Sequence, residues 1–160
     1  MTTLLKTDTV QVVQDGDTDI VVRRNFAHPP ARVWRALTDP ALIPKWLSPV
    51  NPMVRCEMDA RPGGHFHYEW KNEAGQSYYF SGPILAADAP SHMTHVEYFN
   101  GDTDAGVTVT PDLAAAGSGT RMTLVHRHAD KAARAAAIAS GMTDNYDIVY
   151  DALETVLDAL

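Results

Sequence analysis

The chain has 160 residues, of which 45% are apolar and 21% are charged, and its formal net charge at pH 7 is −7. This length and composition predict a single globular domain over residues 1–160. The acidic balance argues against binding to nucleic acid or to an anionic membrane, because both need concentrated Lys and Arg. No segment approaches the roughly 20 apolar residues that cross a bilayer, so we expect no membrane partner.

The cysteine content and the N-terminal residues bear on the compartment. Cys56 is the only cysteine, which excludes an intrachain disulfide and favours a reducing compartment. Residues 1–8 lack the apolar run of a signal peptide. We therefore expect a cytoplasmic protein.

The N-terminal part of the chain predicts two strands. Residues 1–18 form a polar extension, in which Val10, Val12 and Val13 indicate a short extra strand. From residue 19 to residue 27, apolar and polar side chains alternate, and this alternation predicts the first main strand.

Two short helices are predicted after that strand. Pro30 suits the first turn of a helix, where a missing N–H costs nothing. Asp39 is a favourable N-cap for a second helix, which is expected to run from Pro40 to about Trp46. Pro49 is expected to contribute to the end of this second helix.

Further strand-like segments follow, and most of them are separated by turns that contain Gly or Asn. They predict strands over residues 53–59, 65–70, 76–86, 92–99, 106–110 and 120–128. In the second of these segments Phe66, Tyr68 and Trp70 share one face, which we assign to the interior.

The C-terminal part of the chain is helical. Residues 130–139 are rich in alanine, and Ser140-Gly141 interrupts them. From Met142 to Leu160, apolar residues recur in steps of three and four, which predicts one long amphipathic helix. The order of elements predicts an α+β fold in which a curved antiparallel sheet wraps around this C-terminal helix.

Several stretches resemble the SRPBCC superfamily, whose members are also called START-like or helix-grip proteins. Within it, the chain is similar to proteins related to the C-terminal domain of activators of the ninety-kilodalton heat-shock chaperone ATPase. The resemblance covers about residues 19–158, the expected core, and implies a helix-grip fold with two small helices after the first main strand. It is carried by residues 26–40, Lys45-Trp46, residues 56–64, residues 120–124 and the closing helix.

Two departures from the family pattern concern the expected cavity. Many relatives carry Trp-Trp-Gly-Pro where this chain has Trp46-Leu47-Ser48-Pro49, at one rim. Many also have small residues in the closing helix, whereas residues 142–150 are bulky here. This second departure predicts a smaller or reshaped cavity.

The resemblance implies that an apolar cavity lies between the sheet and the closing helix. Its candidate walls are Trp34, Phe66, Tyr68, Trp70, Phe80, Tyr98 and Leu124, with Met142, Tyr146 and Val149 contributed by the closing helix. His126 continues the inward face of Leu124 and is the candidate polar anchor for a ligand. The alternative is that the aromatic residues are simply core and that His126 is a satisfied core histidine.

Other histidines could carry different chemistry. His65, His67 and Glu69 share a strand face and could in principle chelate a metal. Because Phe66, Tyr68 and Trp70 are assigned to the inner face of this strand, we expect the histidines on the solvent side and predict no metal site.

The strand over residues 92–99 has two candidate orientations. We assign Val96 and Tyr98 to the inner face. With the strand turned the other way, His95 and Glu97 would enter the cavity and could act as an acid–base pair.

No signature of a hydrolytic nucleophile, phosphate loop or cofactor is present, so we assign no catalytic residue and expect no cofactor. The favoured function is binding of a small apolar or aromatic molecule. The alternatives are an interaction module that regulates a chaperone or another protein, and a cyclase- or aromatase-like enzyme. We expect a monomer or a homodimer.

Overall fold

In the computed structural model, which describes residues 1–48 and 50–160, nine strands form one sheet with every neighbouring pair antiparallel. Pro49, expected to help end the second helix, lies outside the described residues. The strands are β1 (Thr2–Lys6), β2 (Val10–Asp15), β3 (Asp19–Phe26), β4 (Met53–Met58), β5 (His65–Lys71), β6 (Ser77–Asp88), β7 (His92–Phe99), β8 (Val107–Ala116) and β9 (Gly119–Arg127).

The strand order is β1-β2-β3-β9-β8-β7-β6-β5-β4. Strands β4 to β9 therefore run as a meander, and the N-terminal β3 pairs with the last strand, placing Val22 opposite Leu124. This pairing places an early segment and a late segment of the chain side by side within the sheet. One face of the sheet is left to be covered by helices.

The helices are α1 (Pro30–Thr38), α2 (Ile43–Trp46), α3 (Lys131–Ala139) and α4 (Tyr146–Asp158), with a 3₁₀ turn at Thr103–Ala105. The backbone of α4 runs closest to α1 and α2, and these two helices lie in turn against β8 and β9 (α1) and against β4 (α2). The predicted α+β helix-grip fold is confirmed, including the two short helices after the first main strand.

Three element boundaries differ from the predicted ones for local reasons. Helix α2 begins at Ile43, because the Asp39 carboxylate accepts a hydrogen bond from the Ala41 amide at 2.8 Å and closes a turn first. Helix α4 begins at Tyr146, because Gly141 has φ +89° and a run of turns follows it. Strand β8 continues through Pro111 to Ala116 instead of ending at residue 110.

The N-terminal extension contributes more than the sequence indicated. The valine segment forms β2 as expected, and residues 2–6 add the edge strand β1 beside it. Residues 2–6 show little apolar alternation, so their own sequence does not predict a strand. They form β1 because they pair with β2.

The C-terminal half of α4 is the most tightly packed part of the helix. Leu153 and Leu157 are fully buried against the same core as Val33 and Ile43 of the two short helices. At the centre of α4, the Tyr150 ring stacks on Trp46 with ring centroids 6.3 Å apart. Each buried Leu contributes about 2 kcal/mol of hydrophobic free energy, so this half of the helix is firmly held.

A buried arginine fastens α4 to the sheet. The Arg24 side chain on β3 is only 4% exposed, and its guanidinium donates to the Asp151 carboxylate at 2.6 Å and lies 3.7 Å from the Glu154 carboxylate. The same guanidinium donates to the Asn25 carbonyl and to the Thr9 hydroxyl. Arg24 thus connects the helix, the central strand and the loop before β2.

Among the helices within residues 1–48 and 50–160, none combines the length and the apolar character needed to cross a membrane.

Replacing Arg24 by Met should lower the free energy of unfolding by about 2 kcal/mol, because charge-assisted hydrogen bonds are lost while the aliphatic packing remains. Arg127→Met is the matched control. Arg127 makes a two-point contact with Asp19, but its side chain is 65% exposed, so its loss should cost much less. Urea denaturation measures both, and equal losses would contradict the anchoring role of Arg24.

Candidate functional site

A cavity of about 310 Å³ lies between the sheet and the N-terminal half of α4. Strands β4 to β9 supply its floor, and the helices with the turn before α4 supply its roof. The lining residues are Leu37, Trp46, Leu47, Met58, Tyr68, Trp70, Phe80, Met93, His95, Glu97, Val109, Pro111, Met122, Leu124, His126, Met142, Asn145, Tyr146, Val149 and Tyr150. Asn145 is also exposed to solvent, so the turn before α4 lies at the mouth.

The aromatic walls are fixed by hydrogen bonds and ring contacts. The Trp70 indole donates to the Leu47 carbonyl at 3.0 Å, and its ring meets Phe80 edge to face. On the helix side, Tyr146 stacks on Tyr150 with ring planes 5° apart. Hydrogen bonds and ring contacts therefore hold these aromatic side chains in fixed orientations around the cavity.

Polar side chains cluster on the part of the floor formed by β7 and β9. His95 and Glu97 lie two residues apart on β7, and the His95 Nε2 donates to Glu97 Oε1 at 3.1 Å. The His95 side chain is 9% exposed, whereas 26% of the Glu97 side chain is accessible. His95, Val109 and His126 form one row across β7, β8 and β9.

His126 on β9 is bound by the roof of the cavity. Its Nδ1 and the Tyr146 hydroxyl share a hydrogen bond of 3.0 Å. In either imidazole tautomer this pair keeps one free proton donor and one free acceptor. The sheet and α4 are therefore connected through polar atoms inside the cavity.

The electrostatics leave Glu97 ionised. Burial raises the pKa of this carboxyl, but the hydrogen bond that His95 donates, together with the electrostatic effect of the neighbouring histidines, outweighs burial. The net effect lowers the pKa of Glu97 below its usual 4.5. A carboxylate anion therefore faces the cavity at neutral pH.

His126 is neutral at the same pH. Burial lowers its pKa from 6.5 to about 4, with the Glu97 charge acting in the opposite direction and His95 and His128 reinforcing burial. Burial, followed by the proximity of Tyr150 and Glu97, raises the pKa of the Tyr146 hydroxyl well above 10. The pair therefore offers neutral hydrogen-bonding groups beside an anion, an arrangement that can orient a ligand or transfer a proton.

The structure brings most of the sequence-based candidates to this cavity. Those that line it are Tyr68, Trp70, Phe80, Leu124, His126, Met142, Tyr146 and Val149. Trp34, Phe66 and Tyr98 do not.

Phe66 and Trp34 pack behind the cavity wall. Phe66 points inward as expected but is fully buried with Ile84 and Met93, and its ring lies edge-on to His95 at 4.9 Å. Trp34 packs against this cluster, while Leu37, further along α1, reaches the cavity instead. Both aromatic residues support the site from outside it.

The assignment of Tyr98 to the cavity is wrong. Tyr98 pairs with Ser81 and packs over Gly106 on the outer face. Since side chains alternate along a strand, His95 and Glu97 point inward, which is the orientation held as the alternative. Met93 lies two residues before His95 and is buried on the same face of β7. This apolar residue was the feature of the sequence that could have indicated the inward face.

Sequence reasoning also did not select several lining residues. Met58, Met93, Val109 and Pro111 come from three strands, β4, β7 and β8. These side chains all point to the inner face of the sheet, but which strands share one cavity depends on the strand order.

Two groups of side chains could be considered for a metal. His67 and Glu69 lie on the outer face, where they pair with each other at 2.9 Å. His28, Glu154 and Asp158 also come together, a group for which no sequence pattern predicts a site.

The second group is better explained as a set of ion pairs. His28 Nε2 lies 2.7 Å from the Asp158 carboxylate, while the guanidinium groups of Arg24 and Arg32 lie 3.7 Å from Glu154 and 3.4 Å from His28. These positive charges compete with a metal ion. The group fastens the end of α4, and we assign no metal to it.

Cys56 has no reactive role. It is half-buried, and burial, with the charges of Asp39 and Glu57, raises the pKa of its thiol to about 11. A thiol that stays protonated at neutral pH is a poor nucleophile.

The nine-stranded antiparallel sheet and the C-terminal helix that it grips define a helix-grip protein of the SRPBCC type. The chain belongs to the family of Activator of Hsp90 ATPase homolog 1-like proteins, whose family model matches residues 27–158. The recognition made from the sequence is confirmed. No curated protein matches the chain significantly.

Solved structures of bacterial proteins share the fold. A protein from Rhodobacter sphaeroides is 31% identical, with a TM-score of 0.89 over 96% of this chain and 100% of that one. Protein NE0264 from Nitrosomonas europaea is 26% identical, with a TM-score of 0.79 over 92% of this chain and 98% of that one. Protein Ms6760 from Mycobacterium smegmatis, 24% identical with a TM-score of 0.82 over 92% and 96%, shows the fold alone.

Titration of His126 should make stability depend on pH. An unfolded His126 takes up a proton as pH falls below 6.5, whereas the folded one resists protonation to about pH 4. The folded state therefore loses about 2 kcal/mol between pH 7 and pH 4.5 through this group.

The variant His126→Asn keeps an acceptor near the Nδ1 position and removes the titration. Its free energy of unfolding, measured by urea denaturation, should fall by about 2 kcal/mol less over this pH range than that of the unsubstituted protein. His65→Asn, at an exposed position on β5, should keep the full dependence. Indistinguishable pH profiles for the two variants would refute the assignment.

Proposed function

We propose that the protein binds a small apolar or aromatic molecule in the cavity between the sheet and α4. The observation that carries this proposal is a space of about 310 Å³ lined mainly by apolar side chains, with a few polar groups on one side. Apolar walls supply affinity in such sites, and a few polar groups set the orientation of the ligand.

The cost of an empty cavity supports an occupant. At about 24 cal/mol per Å³, a dry void of this size would cost on the order of 7 kcal/mol, comparable to the whole stability of a small domain. Water that fills the space finds few hydrogen-bonding partners on walls such as Leu124, Val149 and Met122. An apolar ligand that displaces this water would therefore stabilise the folded protein.

The proposed roles follow from position. Tyr68, Trp70 and Phe80 form the aromatic wall on the sheet, and Val149 closes the roof. His126, bound to Tyr146, is the proposed polar anchor. Met142 lies beside the mouth and is the proposed side chain past which a ligand enters.

A second candidate function is proton-transfer catalysis of the cyclase or aromatase kind. The specific observation in its favour is that His95, Glu97, His126 and Tyr146 line one cavity. A carboxylate could accept a proton from a bound substrate while the neutral pair donates to a developing oxyanion. Conversion of a bound compound that stops in Glu97→Gln would favour this function over binding alone.

Native mass spectrometry of the freshly purified protein tests the binding proposal directly. We expect a co-purifying small molecule, and the same spectrum reports whether the protein is a monomer or a homodimer. Stoichiometric recovery of a chaperone with an empty cavity would instead support the regulatory role that the family description suggests.

A cavity-filling substitution provides the matched test. Val149→Phe should occupy the roof space and weaken binding of a hit from an aromatic and lipid library at least about tenfold, without loss of stability. Ile148→Phe, at the neighbouring position that is 53% exposed, should bind as before. Thermal shift and calorimetry measure both. Full binding by Val149→Phe, or no stabilisation by any compound, would contradict the proposal.

A further inference from the structure

The cavity contains an unbalanced charge. Among the lining residues within the described ranges, Glu97 is the only one with an ionised acidic or basic side chain of the Asp, Glu, Lys or Arg type. About a quarter of its side chain is accessible, and it faces the cavity from β7. The remaining polar groups of the floor and roof are imidazoles, phenols and one amide.

The hydrogen bonds of this carboxylate are incomplete. Glu97 Oε1 accepts from His95 Nε2, whereas the described residues donate no hydrogen bond to Oε2. A carboxylate offers about four lone-pair positions, so most of its accepting capacity is unused. In a mostly apolar cavity an unsatisfied anion is costly, and a ligand that donates to it recovers part of this cost.

The surrounding groups give no compensation for an anionic ligand. His95 is bound to Glu97 itself, and its other ring nitrogen, Nδ1, is buried. His126 is bound to Tyr146 and stays neutral, and His128 lies outside the lining with its Nδ1 near the Thr18 carbonyl. Arg24 and Arg134, the buried arginines of the described chain, bind carboxylate and carbonyl oxygens away from the cavity. A second carboxylate placed beside Glu97 would therefore meet repulsion.

Resting on the proposed function, we infer that the cavity selects ligands whose apolar or aromatic body ends in a hydrogen-bond donor, a hydroxyl or a protonated amine, that binds Glu97. The same geometry discriminates against ligands that end in a carboxylate. The free donor and acceptor of the His126–Tyr146 pair bind the ligand's remaining polar atoms. Glu97 is thus the specificity-determining residue of the site.

The protein carries its own control for this inference. His67 and Glu69 on β5 repeat the arrangement of His95 and Glu97, with the same spacing and an Nε2 to Oε1 distance of 2.9 Å. They lie on the outer face of the sheet. Glu69→Gln therefore removes an equivalent carboxylate without touching the cavity.

Three naphthalene probes of similar shape test the inference by calorimetry at pH 7: 2-naphthol, 2-methoxynaphthalene and 2-naphthoate. We expect 2-naphthol to bind at least about tenfold more tightly than the methoxy compound, since hydrogen bonds to charged groups contribute this much. We expect 2-naphthoate to bind most weakly. In Glu97→Gln the advantage of the hydroxyl should fall below about threefold and naphthoate should bind better, whereas Glu69→Gln should behave like the unsubstituted protein.

Equal binding of the hydroxyl and methoxy probes, or tighter binding of naphthoate, would overturn the selectivity while leaving the binding function standing. Failure of all three probes to bind would overturn both. The comparison of probes on the unsubstituted protein does not depend on the folding of any variant. An unchanged order of affinities in a folded Glu97→Gln variant would remove Glu97 from its assigned role.

Discussion

The anchoring of one half of α4 is the constraint on which the rest of the structure depends. Leu153 and Leu157 are packed without exposure against the two short helices, and Arg24 holds the same half to the central strand. The other half, from Tyr146 to Val149, passes over β7 to β9 without filling the space beneath it. A cavity survives there because rigid packing at one end of a helix fixes the path of the other end.

Neighbouring ionisable groups of the cavity have different charge states although burial disfavours the charged form of each. Burial keeps His126 neutral, whereas Glu97 remains ionised because His95 donates a hydrogen bond to it directly. The result is an acceptor with full negative charge beside a neutral donor–acceptor pair. The charged acceptor and the neutral pair therefore make two different polar positions in the cavity. The difference between them arises because Glu97 receives a hydrogen bond from His95.

Two identical His–Glu spacings have different consequences because of strand parity. His67 and Glu69 lie on the outer face of the sheet, away from the cavity, while His95 and Glu97 line the cavity. A shift of one residue in β7 would exchange the two faces and place Val96 and Tyr98 inside. The buried positions of Met93 and His95, the latter paired with the buried Ile84, set the observed orientation.

The sequence by itself determined the order of elements, the fold class, the inward face of β5 and the apolar stripe of α4, because these depend on local periodicity of two or three to four residues. It located β1, the start of α4 and the inward face of β7 poorly, since each depends on a neighbour or on a turn. Only the tertiary structure could decide which strands lie side by side, and therefore that Glu97 and His126 share one cavity with Tyr146. Contacts between residues far apart in the chain leave no local pattern, and the polar groups of this site come from three such segments.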